Sequence, residues 1–283
     1  MNPNGKSRKE RVWILAACSL VYLALAAPSL AAGIPYGNNP AAGHYVDVRG
    51  IRMYVEEYGS GPAVLMLHGN GGSMSAFGGN APYFSQKYHV ILVDSRAQGK
   101  TVDPGPDLTF EMMADDFAAL LDRLGVKSAY VIGFSDGGID ALELAMRHPN
   151  KVIALAATGA NLWEAADAYA DGLWAGTEAQ YRRDHAKVWK TEKERNDWKI
   201  FMLDYTQPRI ALSDLRAIRC PCLIICGDHD MISITHTVQI YQAIPKANLW
   251  VVPDSGHATL AEHPDAFNAT VDGFFSKPFH ARK

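Results

Sequence analysis

Short apolar runs recur along the chain, each closing on a polar or glycine-rich loop: Ala63–Leu67, Val90–Val93, Tyr130–Ile132, Val152–Ala157, Leu223–Cys226 and Leu249–Val252. Runs without polar interruption predict strands buried on both faces, because a half-exposed strand would alternate apolar with polar residues. Tyr45–Val48 and Ile51–Tyr58 carry more polar residues and flank Arg49-Gly50, which predicts an antiparallel hairpin. Helices are expected between the runs. A helix is expected from about Ser75 to Lys87, and another follows the cap residue Thr109, with Met113, Phe117, Leu120, Leu121 and Leu124 on one face. Others span Ile139–Met146 and Pro264–Phe275. Strands alternating with helices predict a parallel sheet covered on both sides. The pattern breaks from Asn161 to Pro208, a charged and aromatic stretch with Trp163, Trp174, Trp189 and Trp198, and resumes at Cys220. This stretch reads as a helical insertion lying over the carboxyl edge of the sheet.

The amino terminus has a different character. Lys6, Arg8, Lys9 and Arg11 precede an apolar stretch from Val12 to Ala27, and Pro28–Ala32 supplies small residues at a cleavage site. These three regions describe a secretory signal peptide over residues 1–31. Two alternatives stay open: an uncleaved membrane anchor, since Val12–Ala32 is nearly long enough to span, and a lipoprotein processed at Cys18. Each places the body of the protein outside the cytoplasm, secreted or periplasmic. Removing the segment takes four of the 27 basic and one of the 30 acidic residues, which leaves a formal charge of −6. No nucleic-acid or anionic-membrane partner is indicated by that balance, and membrane contact is expected only if the segment is not cleaved. Residues 32–44, rich in Gly, Pro and Asn, form an extended leader.

Cys220, Cys222 and Cys226 lie along one expected strand, where the outer pair would stand roughly 20 Å apart. That exceeds the reach of a disulfide, and a strand offers no zinc-site geometry, so all three are expected as buried thiols. No cofactor motif is visible: Gly69–Gly72 fits neither a Walker loop nor a dinucleotide fingerprint.

The candidate chemistry sits where strands end. Tyr130–Phe134 runs into Gly133-Phe134-Ser135-Asp136-Gly137, and a helix follows. In a strand-turn-helix context this G-x-S-x-G pattern is a nucleophile elbow that holds Ser135 exposed on a strained turn. A serine hydroxyl needs a base, and the base needs a partner to fix its tautomer. Asp230 and His257 follow in that order, each after an apolar run, so a parallel sheet would deliver all three to one edge. Backbone N–H groups of Asp136 and Asn70 are the candidate oxyanion donors.

With His68-Gly69-Asn70-Gly71, the elbow, Gly227–Asp230 and Gly256-His257 in this order, the chain from about Val46 to Phe275 resembles the α/β-hydrolase superfamily. The resemblance implies an α/β-hydrolase fold: a mostly parallel, eight-stranded sheet with helices on both faces. Residues 45–160 and 209–283 would form its core, and residues 161–208 a helical lid. It favours Asp230 over Asp228 as the triad acid, and gives His68 a loop-supporting role without proton transfer. His229 and His263 read as solvent-facing or local helix features. The chain departs from the family at Ala97, Lys100 and Thr101, in a loop usually written Asp-x-Arg-Gly-x-Gly-x-Ser, which begins here at Asp94. Asp136 also departs from it, placing a carboxylate beside the nucleophile. It either disfavours anionic substrates or, the favoured reading, points to solvent or a local basic partner.

The function implied is a serine hydrolase cleaving carboxylic esters or lactones through an acyl-enzyme on Ser135. The aromatic residues of the insertion suggest an apolar or aromatic small-molecule substrate. A carbon-carbon bond hydrolase and an aminopeptidase use the same triad and remain alternatives, as does a non-catalytic ligand-binding protein. A serine nucleophile argues against the haloalkane dehalogenase and epoxide hydrolase branches, where the resemblance implies aspartate.

Overall fold

The computed structural model describes residues 33–277, so the expected signal segment and its anchor and lipoprotein alternatives lie outside the described residues. β1 (Gly43–Val48) and β2 (Ile51–Tyr58) make the expected hairpin, with Val48 opposite Ile51 and Arg49 at a φ of 42° in the turn. β2 pairs antiparallel with β4 (His89–Val93). From β4 onward every pairing is parallel, through β3 (Ala63–Leu67), β5 (Ala129–Phe134), β6 (Val152–Thr158), β7 (Cys222–Gly227) and β8 (Ala247–Val252). The 8-stranded sheet has the order β1-β2-β4-β3-β5-β6-β7-β8.

The apolar runs are continuous because both faces of these strands are covered. Leu65, Leu67, Ile91, Val93 and Val131 pack on one side beneath α2 (Phe110–Arg123), α3 (Asp136–Arg147) and α6 (Ile234–Ala243), which contribute Phe117, Leu142 and Ile240. Val64, Met66, Val90, Leu92 and Ile132 pack on the other against Phe84 of α1 (Ala81–Phe84) and Phe267 and Val271 of α8 (Pro264–Phe275). Burying each such side chain stabilises the fold by roughly 1.5–3 kcal/mol. Thr109 caps α2 as its sequence position indicates, its hydroxyl accepting from the Met112 N–H at 3.0 Å. Cys220, Cys222 and Cys226 are buried free thiols.

One expected helix is absent. Instead of a helix over Ser75–Lys87 there is a 3-10 turn at Met74–Phe77 and then the single α turn of α1. Gly78-Gly79 separates them, and Pro82, which cannot donate within a helix interior, sits in the first turn of α1 where no donor is needed.

The stretch from 161 to 208 contains α4 (Leu173–Asp184) and α5 (Glu192–Thr206). α5 starts with a reciprocal cap, in which the Thr191 hydroxyl takes the Glu194 N–H and the Glu194 carboxylate takes the Thr191 N–H. Tyr169, Trp174, Tyr205 and Tyr181 form a run of stacked rings, with Trp174 and Tyr205 at 5.6 Å and 8° and Tyr205 and Tyr181 at 4.2 Å and 13°. Trp189 and Trp198 pack on each other, and Trp163 packs edge-on to His236. α5 is tied to the loop after β4 by polar contacts. Lys199 donates to the Asp103 carboxylate at 2.9 Å and to the Asp103 and Gly105 carbonyls, and Asn196 donates to the Ala97 carbonyl at 2.8 Å. In the same loop the buried Arg96 grips Asp116 of α2 through two N–H bonds of 2.6 and 3.0 Å and reaches Asp103 at 3.0 Å.

Candidate active site

Parallel strands end on one edge, and the candidate groups gather there. β5 leads into Ser135, whose φ of 55° and ψ of −121° are strained for any residue with a Cβ, and α3 begins at the next position. The turn closes only because its flanks lack side chains. A Cβ on Gly133 would stand 2.0 Å from the Gly137 carbonyl, and one on Gly137 would stand 2.0 Å from the Leu67 carbonyl. Asp230 follows β7, and His257 follows β8.

These three residues form an unbroken hydrogen-bonded chain. His257 Nε2 lies 2.9 Å from Ser135 Oγ, and His257 Nδ1 lies 2.6 Å from Asp230 Oδ1. Asp230 has a buried carboxylate, steadied by the Ile232 N–H at 3.0 Å, so it can only accept from Nδ1–H and leaves Nε2 free to accept from the serine. Asp228 is elsewhere: its carboxylate takes the Ser255 N–H at 3.1 Å and is held low by such backbone donors. His229 is exposed, and His263 bonds the Asp254 carbonyl.

The loop after β3 lies against the elbow because β3 and β5 are neighbours, with Leu67 opposite Gly133. Gly69 is so close that a Cβ there would stand 3.0 Å from Ser135 Cβ. His68 supports this loop: its Nε2 accepts the Ser95 N–H at 3.0 Å, so Nδ1 carries the proton and bonds the Gly69 carbonyl at 2.8 Å. Burial holds its imidazole neutral. Asp136 opens α3, so its N–H has no acceptor within the helix, and the N–H of Asn70 makes no hydrogen bond among the described residues.

Asp136 does not point to solvent or to a basic partner, as the sequence suggested. It is 2% exposed beneath α5 and accepts from Asn70 Nδ2 at 2.8 Å, while the same amide reaches the Ile200 carbonyl at 3.3 Å. Its other neighbour is a second acid, Asp204 of α5. Burial, and then the charge of Asp204, push Asp136 well above the usual carboxylate range. Of the two acids Asp136 is the more deeply enclosed, and so the less favourable place for the negative charge of the pair. Two peptide N–H donors, those of Asn70 and Asp136, are thus locked to each other by their own side chains.

A cavity of about 370 Å³ opens over Ser135 and His257, lined also by Gly69, Asn70, Gly72, Ala76, Phe134, Asn161, Tyr169, Asp204, Met231 and Ile232. Among the insertion's aromatic residues only Tyr169 lines it; the tryptophans pack against other side chains instead. A larger surface hollow of about 610 Å³, beside the β1–β2 turn, includes none of Ser135, Asp230 and His257.

Several residues of the site were not legible from the sequence. Asp204 and Tyr169 belong to the insertion, where no motif marked them. Behind Tyr169 stands Glu164, which accepts from the Tyr169 hydroxyl and from Asn161 Nδ2 and is pushed up to about 9, chiefly by burial. Gly159, directly after β6, is the floor under His257: a Cβ there would stand 2.6 Å from its Cε1. A glycine at the carboxyl end of a buried strand was the available signal, since it marks close approach.

Known proteins are similar to this chain in sequence and in fold. A protein of Caulobacter sp. (strain K31) named "Putative carbamate hydrolase RutD" is 28% identical over 79% of this chain and 96% of its own length. Among solved structures, Est816, described as an N-acyl homoserine lactone degrading enzyme, is similar with a TM-score of 0.69 and 23% identity, over 82% of this chain and 100% of its own. A meta-cleavage product hydrolase from Pseudomonas fluorescens IP01 gives a TM-score of 0.70 at 22% identity, over 84% of this chain and 99% of its own. At such identities the two structures speak for the fold alone. The sequence profile of the alpha/beta hydrolase family matches residues 64–270, and the chain belongs to that family.

Proposed function

We propose that this hydrolase cleaves carboxylic esters or lactones through an acyl-enzyme on Ser135. The observation that carries the reading is the continuous chain from Asp230 through His257 to Ser135, at 2.6 and 2.9 Å, at the mouth of a cavity. His257 Nε2 takes the hydroxyl proton as Ser135 Oγ bonds to the substrate carbonyl carbon, and Asp230 stabilises the imidazolium. The oxyanion of the tetrahedral intermediate is received by the N–H groups of Asn70 and Asp136. Collapse breaks the carbon–oxygen bond, with the proton passing from His257 to the leaving alkoxide. Water, deprotonated by His257, then attacks the acyl-enzyme and releases the acid and free Ser135. A lactone gives one hydroxy acid by the same steps. The carbamate and lactone chemistry named for the relatives involves the same kind of acyl centre.

In this reading residues 161–208 serve as a lid, since α5 brings Asp204 to the cavity wall and holds Asn70 through the Ile200 carbonyl. Export is part of the proposal as well, resting on the charged, apolar and small-residue regions of residues 1–31; sequencing the amino terminus of the protein made in a bacterial host, fraction by fraction, tests it. The central test uses a fluorophosphonate probe and a series of p-nitrophenyl esters on the wild type and on Ser135→Ala. Labelling and turnover that both disappear in the variant support the acyl-enzyme. A folded wild type that shows neither overturns the ester reading, and turnover that survives in Ser135→Ala overturns the role of the serine.

A further inference from the structure

The wall of the cavity facing Ser135 is acidic and lacks a resident cation. Asp204 lies in that wall, and among the described residues no lysine or arginine pairs with it or lines the cavity. Asp136 stands directly behind it, fully buried, and Glu164 lies beyond Tyr169 on the same side; both acids feel the charge of Asp204. The only other group of the lining that can carry positive charge is His257.

A catalytic cavity built this way repels the carboxylate or phosphate of a substrate, since no lysine or arginine lines it to offset the field of Asp204 in a partly desolvated space. Among the described residues no backbone N–H, lysine or arginine donates to the Asp204 carboxylate. Beside Asn70 and Asn161, the lining holds the rings of Phe134 and Tyr169 with Met231 and Ile232, and aromatic rings beside a carboxylate make a seat for an organic cation. Asp136, buried away from the cavity, is the poorer site for a charge than Asp204, which lies in the cavity wall. The net negative charge of the whole chain, −3, draws cations in the same direction.

We propose that the cavity beside Ser135 selects substrates that carry an alkylammonium group, seated against the Asp204 carboxylate between Phe134 and Tyr169. Asp204 is then the specificity-determining residue, and the substrates are amino-acyl or amino-alcohol esters or the corresponding lactones. The inference rests on the ester-hydrolase reading for its turnover arm and not for its binding arm.

The test compares matched pairs of esters that differ only in charge: ethyl β-alaninate with ethyl butanoate, where the cation is on the acyl side, and butanoylcholine with 3,3-dimethylbutyl butanoate, where it is on the alcohol side. In the wild type at least one cationic ester is expected to exceed its neutral partner in kcat/KM by about tenfold or more, as an ion pair screened by a protein edge allows. Asp204→Asn is expected to bring that ratio within about threefold of unity by raising the KM of the cationic ester, and Asp204→Glu to retain most of it. In parallel, binding of propylammonium and tetramethylammonium to Ser135→Ala is measured by calorimetry, with and without Asp204→Asn. Binding that depends on Asp204, even with no ester turned over, supports the cation site while the hydrolase reading fails alone. Equal kcat/KM within both pairs, or a ratio unchanged in Asp204→Asn, overturns the proposal, as does the absence of ammonium binding to Ser135→Ala.

Discussion

Gly159 has no catalytic atom, yet replacing it with alanine is expected to disable the site. Its φ of 68° is left-handed, so a Cβ costs about 1 kcal/mol in backbone strain before any contact is counted. The added carbon would also lie 2.6 Å from Cε1 and 2.9 Å from Nδ1 of His257. Carbon atoms are comfortable at about 3.5–4.0 Å, so relief requires a movement of roughly 1 Å. The backbone is poorly placed to supply it, because the Gly159 N–H is bonded to the Ile225 carbonyl of β7 at 3.0 Å. The imidazole must yield instead, and it is held at 2.6 and 2.9 Å by the two groups it connects. A displacement of about 1 Å in a reacting group costs on the order of 100-fold in rate, or about 2.7 kcal/mol of transition-state stabilisation. Gly159→Ala should therefore lose about 100-fold in kcat/KM on a p-nitrophenyl ester, and in the rate of fluorophosphonate labelling, while urea unfolding shows a loss of only about 1–2 kcal/mol. A folded variant with kcat/KM within threefold of the wild type would refute the argument that His257 has no room to move.

Two further outcomes follow from the polar interior. Arg96→Met should destabilise the protein by about 3 kcal/mol, because the fully buried Asp116 loses two short N–H bonds and keeps only the partly exposed Arg49; a shift in urea midpoint worth less than about 1 kcal/mol would contradict it. Binding of propylammonium to Ser135→Ala should weaken as the pH falls from 8 to 5. Burial pushes Asp204 up to about 6, a cation binds only its ionised form, and affinity is therefore present above that value and lost through it, by up to about tenfold per pH unit below. Asp136, Glu164, Tyr169 and His257 are the titratable groups around Asp204. Calorimetry across that range checks it, and an affinity that is flat or rises on acidification would count against a carboxylate seat.

The sequence alone determined the sheet and the positions of Ser135, Asp230 and His257 upon it. Uninterrupted apolar runs such as Ala63–Leu67 are stable only when covered on both faces, and strands joined by helices run parallel, so their carboxyl ends, with whatever follows each, share one edge. The elbow was legible for the same local reason: a serine held at a φ of 55° requires glycines on either side, and the glycines are in the sequence. The segment from Ser75 to Lys87 was misread because its place between two buried strands led to the expectation of one helix, against Gly78-Gly79 and Pro82, which break it. What only the tertiary structure decided lies between elements that no local pattern relates. The direction of Asp136, the place of Asp204 in the cavity wall, and the space that Gly159 leaves for His257 all depend on how α5 and the end of β6 pack over the elbow. Hydrophobic periodicity fixes which face of a segment is buried, as Ile200 and Leu203 are, but α5 is also tied to the loop after β4 by polar contacts at Asn196 and Lys199. Contacts of that kind join residues about a hundred positions apart, and their geometry exists only once the chain is folded.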